Sequence, residues 1–296
     1  MKALVFGSMN IDQVYQLPHF LRPGETLASA SYERNAGGKG LNQAVALARA
    51  GQQTAFAGGI GADGLFLREL LEKEGVDVSQ ICVGDTPTGH AIIHVDAQGG
   101  NAIVLYGGAN QCVTQAQIER ALDACQPGDL VLLQNEINLV PQIMEAAHAR
   151  GLLVALNPSP ASPEMKAWPL EMADYLLLNE VEGEDLTGEK EPEAMLDALL
   201  RRCPDCRVVL TLGEAGCLYA DAHQRHAQSA MRVQAVDTTA AGDTFTGYFL
   251  QAMLEGRSVP EALRRATCAS AMAVSRPGAS ASIPRRDEVE AFLAAK

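Results

Sequence analysis

Apolar residues in this chain fall into short continuous runs, separated by longer segments in which they recur every three or four positions. Residues 3–7, 54–58, 130–133, 152–156, 175–178 and 208–212 are such runs. Their brevity and lack of internal polar positions predict strands buried on both faces, as parallel sheets require. Helical periodicity covers 41–50 (stopped by Gly51), 65–74, 114–125, 139–150, 164–172, 191–202, 244–254, 259–275 and 286–295. From Thr114 onward strand and helix alternate regularly, which specifies a doubly wound, mostly parallel α/β sheet flanked by helices. Two regions stand outside this pattern. Residues 14–33 carry Pro18 and Pro23-Gly24 among β-forming residues, and 88–96 with 101–106 read as a hairpin across Gln98-Gly99-Gly100. Together they predict a small accessory sheet. Residues 232–236 alternate as a further strand.

Composition narrows the partners. The chain has 296 residues, 47% of them hydrophobic, enough for one large α/β core. A formal net charge of −13 argues against nucleic acid or an anionic membrane as the main partner. An anionic substrate must then be held by local donors. No apolar run approaches the roughly 20 residues of a membrane span, and residues 1–10 read as a first strand, not a signal peptide. Seven cysteines, odd in number and scattered, fit reduced thiols and a cytoplasmic location. Cys203-Pro204-Asp205-Cys206 lacks the second ligand pair of a zinc site and precedes a strand, so it reads as a turn.

The chemistry concentrates in Val236-Asp237-Thr238-Thr239-Ala240-Ala241-Gly242-Asp243-Thr244-Phe245. Small residues at a helix start leave main-chain N–H groups open to an anion. Asp243 there could be a plain helix cap. Beside an anion cradle, it also suits deprotonating an alcohol that attacks a phosphoryl group. A second glycine-rich stretch, Asn35-Ala36-Gly37-Gly38-Lys39-Gly40-Leu41-Asn42-Gln43-Ala44, lacks Walker spacing. Gly59-Ile60-Gly61-Ala62-Asp63-Gly64 matches a dinucleotide fingerprint literally, but Asp85 sits in a turn where an acidic strand end is needed. Tight-turn glycines explain it better. Polar residues Asn10, Asp12, Glu136, Asn157, Asn179 and Thr211 close successive predicted strands, the edge at which open α/β sheets bind ligands. The loop 276–282 offers main-chain carbonyls near Asp237 for a hard cation, or is a plain helix connection.

The two stretches 37–44 and 237–245 resemble the PfkB family of sugar kinases, and within it the ribokinases. Gly7-Ser8-Met9-Asn10-Ile11-Asp12, Pro23-Gly24-Glu25-Thr26, Asn179-Glu180-Val181-Glu182 and Arg276-Pro277-Gly278-Ala279 fit in order, nearly end to end. The resemblance implies a single ribokinase-like α/β domain over 1–296, with a β-sheet lid from 12–35 and 88–108 that pairs between subunits of a homodimer. It implies ATP-dependent phosphorylation of a terminal sugar hydroxyl, D-ribose above all. Asp243 would be the base, with the N–H groups of Ala240, Ala241, Gly242 and Asp243 as the anion hole. Asn10, Asp12, Gly38, Lys39, Asn42 and Glu136 would hold the sugar. Asn179, Thr211, Gly213 and Gly242 would meet ATP, and Glu182 would meet magnesium through water. Asp237, Thr239, Ala273, Arg276, Gly278 and Ser282 would hold potassium, Arg276 and Gly278 through main-chain carbonyls. Leu41, Thr246 and Tyr248 depart from the family pattern. Alternatives are a kinase for 2-deoxyribose, a fructose-type sugar or a nucleoside, and a non-catalytic sugar sensor.

Overall fold

A computed structural model describes residues 1–295. In chain order the elements begin with β1 (Ala3–Phe6), β2 (Asn10–Gln16), β3 (Ser31–Gly37), α1 (Lys39–Arg49), β4 (Thr54–Gly61), α2 (Leu65–Lys73) and β5 (Asp77–Gly84). They continue with β6 (Gly89–Val95), β7 (Asn101–Tyr106), α3 (Gln115–Asp123), β8 (Leu130–Gln134), α4 (Val140–Ala149) and β9 (Leu153–Asn157). Then follow β10 (Tyr175–Asn179), α5 (Glu180–Thr187), α6 (Pro192–Arg202), β11 (Arg207–Thr211), β12 (Cys217–Ala220) and β13 (Arg225–Gln228). The chain ends with α7 (Ala241–Leu254), α8 (Val259–Val274) and α9 (Arg286–Ala294).

Nine strands form the main sheet in the order β13-β12-β11-β10-β9-β8-β1-β4-β5. All neighbours are parallel except β11–β12 and β12–β13 at one edge. Each apolar strand serves two cores, because successive side chains point to opposite faces. Ala3, Val5, Leu130 and Leu132 join one core, with residues of α1, α7 and α8. Leu4, Phe6, Val131 and Leu133 join the other, with residues of α3, α4 and α6. The winding direction reverses at β1, which lies between β4 and β8. A crevice therefore opens beyond the carboxyl ends at that point.

A second sheet of four strands, in the order β3-β2-β6-β7, stands beside it. β2 pairs antiparallel with β3 and parallel with β6. Only Gly7, Ser8 and Met9 separate β1 from β2, so the two sheets share a nearly continuous strand.

Three expectations need correction. Residues 232–236 form no strand; they are exposed, β13 already closes that sheet edge, and Val236 N–H reaches only Val274 O at 2.8 Å. Residues 164–172 form two short 3₁₀ turns, Pro163–Ala167 and Leu170–Met172, in place of an α-helix. Pro169 forces Trp168 into extended backbone (ψ 152°) and splits the segment. Strands β5, β12 and β13 and helix α5 are additional. Cys203 and Cys206 flank a turn closed by Cys206 N–H donating to Cys203 O at 3.1 Å.

Candidate active site

Helix α1 brings three side chains to one point. Its start approaches the end of β1 so closely that a Cβ on Gly40 would lie 2.5 Å from Ser8 N, and Gly38 has φ 95°. Leu41 N–H then donates to Ser8 O at 2.9 Å. Lys39, Asn42 and Gln43 follow at helical neighbour spacing and share one face. That face meets the start of α7: Asn42 Nδ2 donates to Asp243 Oδ2 at 3.0 Å, and Gln43 Nε2 donates to Asp243 Oδ1 at 2.8 Å.

Asp243 itself is buried in the first turn of α7. Burial lifts its pKa above the ordinary aspartate range; the Lys39 charge and the two amides pull it back, and the Glu182 charge adds to the rise. Ala240 caps this helix in the left-handed region, φ 59°. Thr244 N–H returns to Ala240 O at 2.8 Å and Ala241 N–H points at Thr238 O at 3.3 Å. The N–H groups of Gly242 and Asp243 are left without main-chain partners, at the positive end of the helix. A Cβ on Gly242 would meet nothing within 4 Å.

A cleft of about 220 Å³ opens over this turn, lined by Lys39, Asn179, Glu182, Thr211, Gly242, Asp243 and their neighbours, including Ala240, Ala241 and Thr246. Asn179 and Glu182 form a reciprocal helix cap: Glu182 N–H donates to Asn179 Oδ1 at 3.0 Å, and Asn179 N–H to Glu182 Oε2 at 2.9 Å. That leaves the other Glu182 oxygen and the Asn179 amide nitrogen for a ligand. Gly213 opens the turn after β11 with φ 53° and does not line the cleft.

From Asp243 a second group of polar side chains runs towards the small sheet. Ser8 Oγ–H and Lys39 N–H both donate to Glu136 Oε2, the latter at 3.0 Å. Burial raises the Glu136 carboxyl, against the pull of Ser8 and Lys39. Asp12 is lifted to about 6, first by burial and then by the Glu136 charge. Asn110 Nδ2 donates to Asn10 Oδ1 at 2.7 Å, and Asn110 Oδ1 takes Met9 N–H at 3.0 Å. Among the described residues two buried acceptors have no partner, Asn42 Oδ1 and Gln134 Oε1. Since the Asn42 amide nitrogen is committed to Asp243, its oxygen is fixed as a free acceptor. Ser8, Gln43 and Asn110 were not singled out from sequence as site residues. The first two lie inside the quoted motifs, whereas Asn110 carries no local signal.

The expected cation residues form a separate cluster. Asp237 joins the two loops: Thr239 N–H and Oγ1–H donate to its Oδ1 at 2.9 and 2.6 Å, and Gly278 N–H to its Oδ2 at 2.9 Å. Partial burial pushes its pKa up, but these hydrogen bonds hold it below the ordinary range. Ala273 O takes Arg276 N–H at 3.0 Å, and Ser282 Oγ–H donates to Ala279 O at 2.8 Å. The Arg276 side chain turns away to Glu288 at 2.7 Å. An ionised carboxylate, carbonyls with a spare lone pair and a hydroxyl oxygen are the donor set a hard monovalent cation takes. Among the described residues no group of three or more acidic, histidine or cysteine side chains is arranged to hold a metal. A divalent ion would then rest chiefly on phosphate oxygens, with the free Glu182 oxygen beyond a water.

A buried carboxylate at a helix N-terminal anion hole, facing a cleft, defines a phosphotransferase site. The sequence pattern of the pfkB family carbohydrate kinases matches residues 1–286, and the chain belongs to that family of sugar kinases. It is 38% identical to a ribokinase of Haemophilus influenzae, over 98% of this chain and 97% of the relative. A deoxyribokinase of Salmonella typhi is 31% identical over 99% of each chain. The structure of Arabidopsis thaliana ribokinase complexed with ribose and ATP superimposes with a TM-score of 0.87, at 32% identity over 99% of this chain and 98% of that one. The fold is thus ribokinase-like, with the four-stranded sheet as its lid.

Proposed function

We propose that the enzyme transfers the γ-phosphoryl group of ATP to the terminal primary hydroxyl of D-ribose, giving ribose 5-phosphate. The observation that carries this reading is Asp243, buried beside free helix N–H groups and gripped by two amides from the opposite helix. ATP lies in the cleft between Asn179, Thr211 and the start of α7. Ribose lies between Asp243 and the lid, where Asn10, Asp12, Gly38, Asn42 and Glu136 offer a defined set of hydroxyl partners. Asn42 Oδ1 takes one of these hydroxyls.

Asp243 accepts the proton of the attacking hydroxyl as the new O–P bond forms. The bond to the β-phosphate breaks, and ADP leaves with the electron pair. Lys39 and the N–H groups of Gly242 and Asp243 stabilise the negative charge on the transferring group. Magnesium, reached through the free Glu182 oxygen, would neutralise the phosphates. Potassium, held by the Asp237–Ser282 loops, would fix the anion hole's geometry from behind. Lid closure over ribose excludes water.

The lid also supports a homodimer. Ile103, Val104, Leu105 and Tyr106 on β7 and Tyr32 on β3 are exposed apolar residues of one small sheet, a surface suited to a second copy. The deoxyribokinase likeness makes 2-deoxyribose the competing substrate. Coupled ADP release with Mg-ATP across ribose, 2-deoxyribose, fructose and nucleosides, with and without potassium, tests the reading. Potassium-stimulated turnover highest on ribose is expected. Higher kcat/KM on 2-deoxyribose would move the substrate, and sugar binding without turnover would favour a sensor.

A further inference from the structure

Gln43 holds more than its bond to Asp243. It is fully buried, and its amide joins three other polar side chains. Its Nε2 donates to Asp243 Oδ1 at 2.8 Å and to Asn157 Oδ1 at 3.1 Å. Its Oε1 accepts from Gln134 Nε2 at 2.6 Å. Asn157 Nδ2 in turn donates to Leu177 O at 2.8 Å.

That last contact sets the direction of the whole chain. A main-chain carbonyl can only accept, so Asn157 must turn its nitrogen to Leu177 and its oxygen to Gln43. Gln43 must then present its NH₂ group to Asn157, and the second hydrogen of that group is the one aimed at Asp243. An amide free to rotate could offer Asp243 either its oxygen or its nitrogen. This one can only donate.

We infer that Gln43 is a positioning residue for the phosphoryl transfer, one whose amide, locked by Asn157 and Leu177, keeps Asp243 an ionised, aimed acceptor. The inference rests on Asp243 being the base. A donor fixed on the carboxylate favours its charged form and opposes burial, which drives the group towards its neutral form. The charged groups acting on Asp243 are Lys39 on α1 and Glu182 on α5, and it acts in turn on Glu136 beyond β8. None of these changes when Gln43 is replaced, which isolates the amide's contribution. A carboxylate that is neutral at working pH cannot take the hydroxyl proton, so loss of the donor appears as a displaced acid limb and not as weaker binding.

The test is the pH profile of kcat for Gln43→Leu, Asn157→Leu and the double variant, with ribose and Mg-ATP saturating. Gln43→Leu should move the acid limb upward by about one pH unit, lower kcat by up to about tenfold at pH values on that limb and recover it at alkaline pH. Its KM values should stay within about threefold. Asn157→Leu unlocks the amide without removing it, so a smaller displacement in the same direction is expected. The double variant should be no worse than Gln43→Leu, because both act through one contact. Gln43→Asn is too short to span the gap and should not rescue. An acid limb that stays in place in both single variants, with kcat lowered equally at every pH, overturns the inference. So does an additive double variant. Asp243→Asn assayed alongside separates the two readings: activity in that variant removes the base itself, whereas its inactivity with an undisplaced Gln43→Leu profile removes only Gln43's role.

Discussion

Asp243→Asn keeps the shape of the side chain and removes the proton acceptor. The expected result is a fall in kcat of about 10²–10⁴-fold with the KM for sugar within a few-fold of the parent, read by coupled ADP release. An unaltered kcat would take the base role from Asp243. Asp12 makes a different prediction, because its carboxyl is lifted to about 6 by burial and by Glu136. An acid with a higher pKa folded than unfolded binds protons on folding, so its contribution is most favourable at low pH and is lost as pH rises towards 6. At neutral pH it is a net penalty, at most about 3 kcal/mol and less where water screens the charge. Asp12→Asn should therefore raise the Tm of the ligand-free enzyme by a few degrees at pH 7.5, with the gain vanishing as pH falls towards 4. The same variant should raise the KM for sugar about tenfold or more. A lower Tm at pH 7.5 would contradict this account. On the proposed reading, stability given up at Asp12 is recovered when a sugar hydroxyl binds there.

Between elements, the geometry of the site depends on how near α1 comes to α7. A Cβ on Gly247 would lie 2.4 Å from Ala46 Cβ and 2.9 Å from the Ala46 main chain, so only hydrogen fits there. Gly247→Val should force the helices apart, destabilise the fold by about 1–3 kcal/mol and reduce kcat by more than the stability loss explains. The reason is that Asn42 and Gln43 would no longer reach Asp243. Chemical denaturation and kcat measured on one preparation decide it; normal kcat despite lost stability would show that helix separation does not matter. Much at this scale was legible in sequence, because strands buried on both faces leave continuous apolar runs and amphipathic helices leave a period. What escaped has physical causes. In β5 the pairing with β4 shifts between Ala55 and Ala57, which breaks the alternation that would have exposed the strand. α5 has a weak apolar stripe, and its helix-start signature, Asn179 with Glu182, coincides with residues that the family resemblance gives to ligands. Gln43, Gln134 and Asn110 are neutral amides whose side-chain partners lie far away in sequence, from 91 residues for Gln134 with Gln43 to 200 for Gln43 with Asp243; Asn110 reaches Asn10 across 100 residues. Only the assembled sheet edge brings such pairs together.

For the whole molecule, the lid is the exposed apolar surface that a monomer would be expected to cover. Val104 and Leu105 are 64% and 62% exposed on a strand whose every residue faces solvent. If the lid pairs two subunits as proposed, Leu105→Asp should shift the protein from dimer to monomer in sedimentation. It should also raise the KM for sugar, since an unpaired lid closes less readily over the site, while Tm falls by no more than about 1–2 °C. A parent enzyme already monomeric at micromolar concentration would remove the dimer from the proposal.

Gly242 separates two reasons for keeping a glycine. Gly40 and Gly247 are required by neighbouring protein atoms, whereas the space where a Gly242 side chain would project is empty. Replacing Gly242 with alanine should leave the fold intact and could add up to about 1 kcal/mol of helix propensity, while placing a methyl group where, on the proposed reading, the phosphate approaches. Any screen that scores variants by expression or heat resistance would thus rank position 242 as freely substitutable. A screen for growth on the sugar would rank it among the least tolerant, and the disagreement between the two would map the outline of the bound nucleotide.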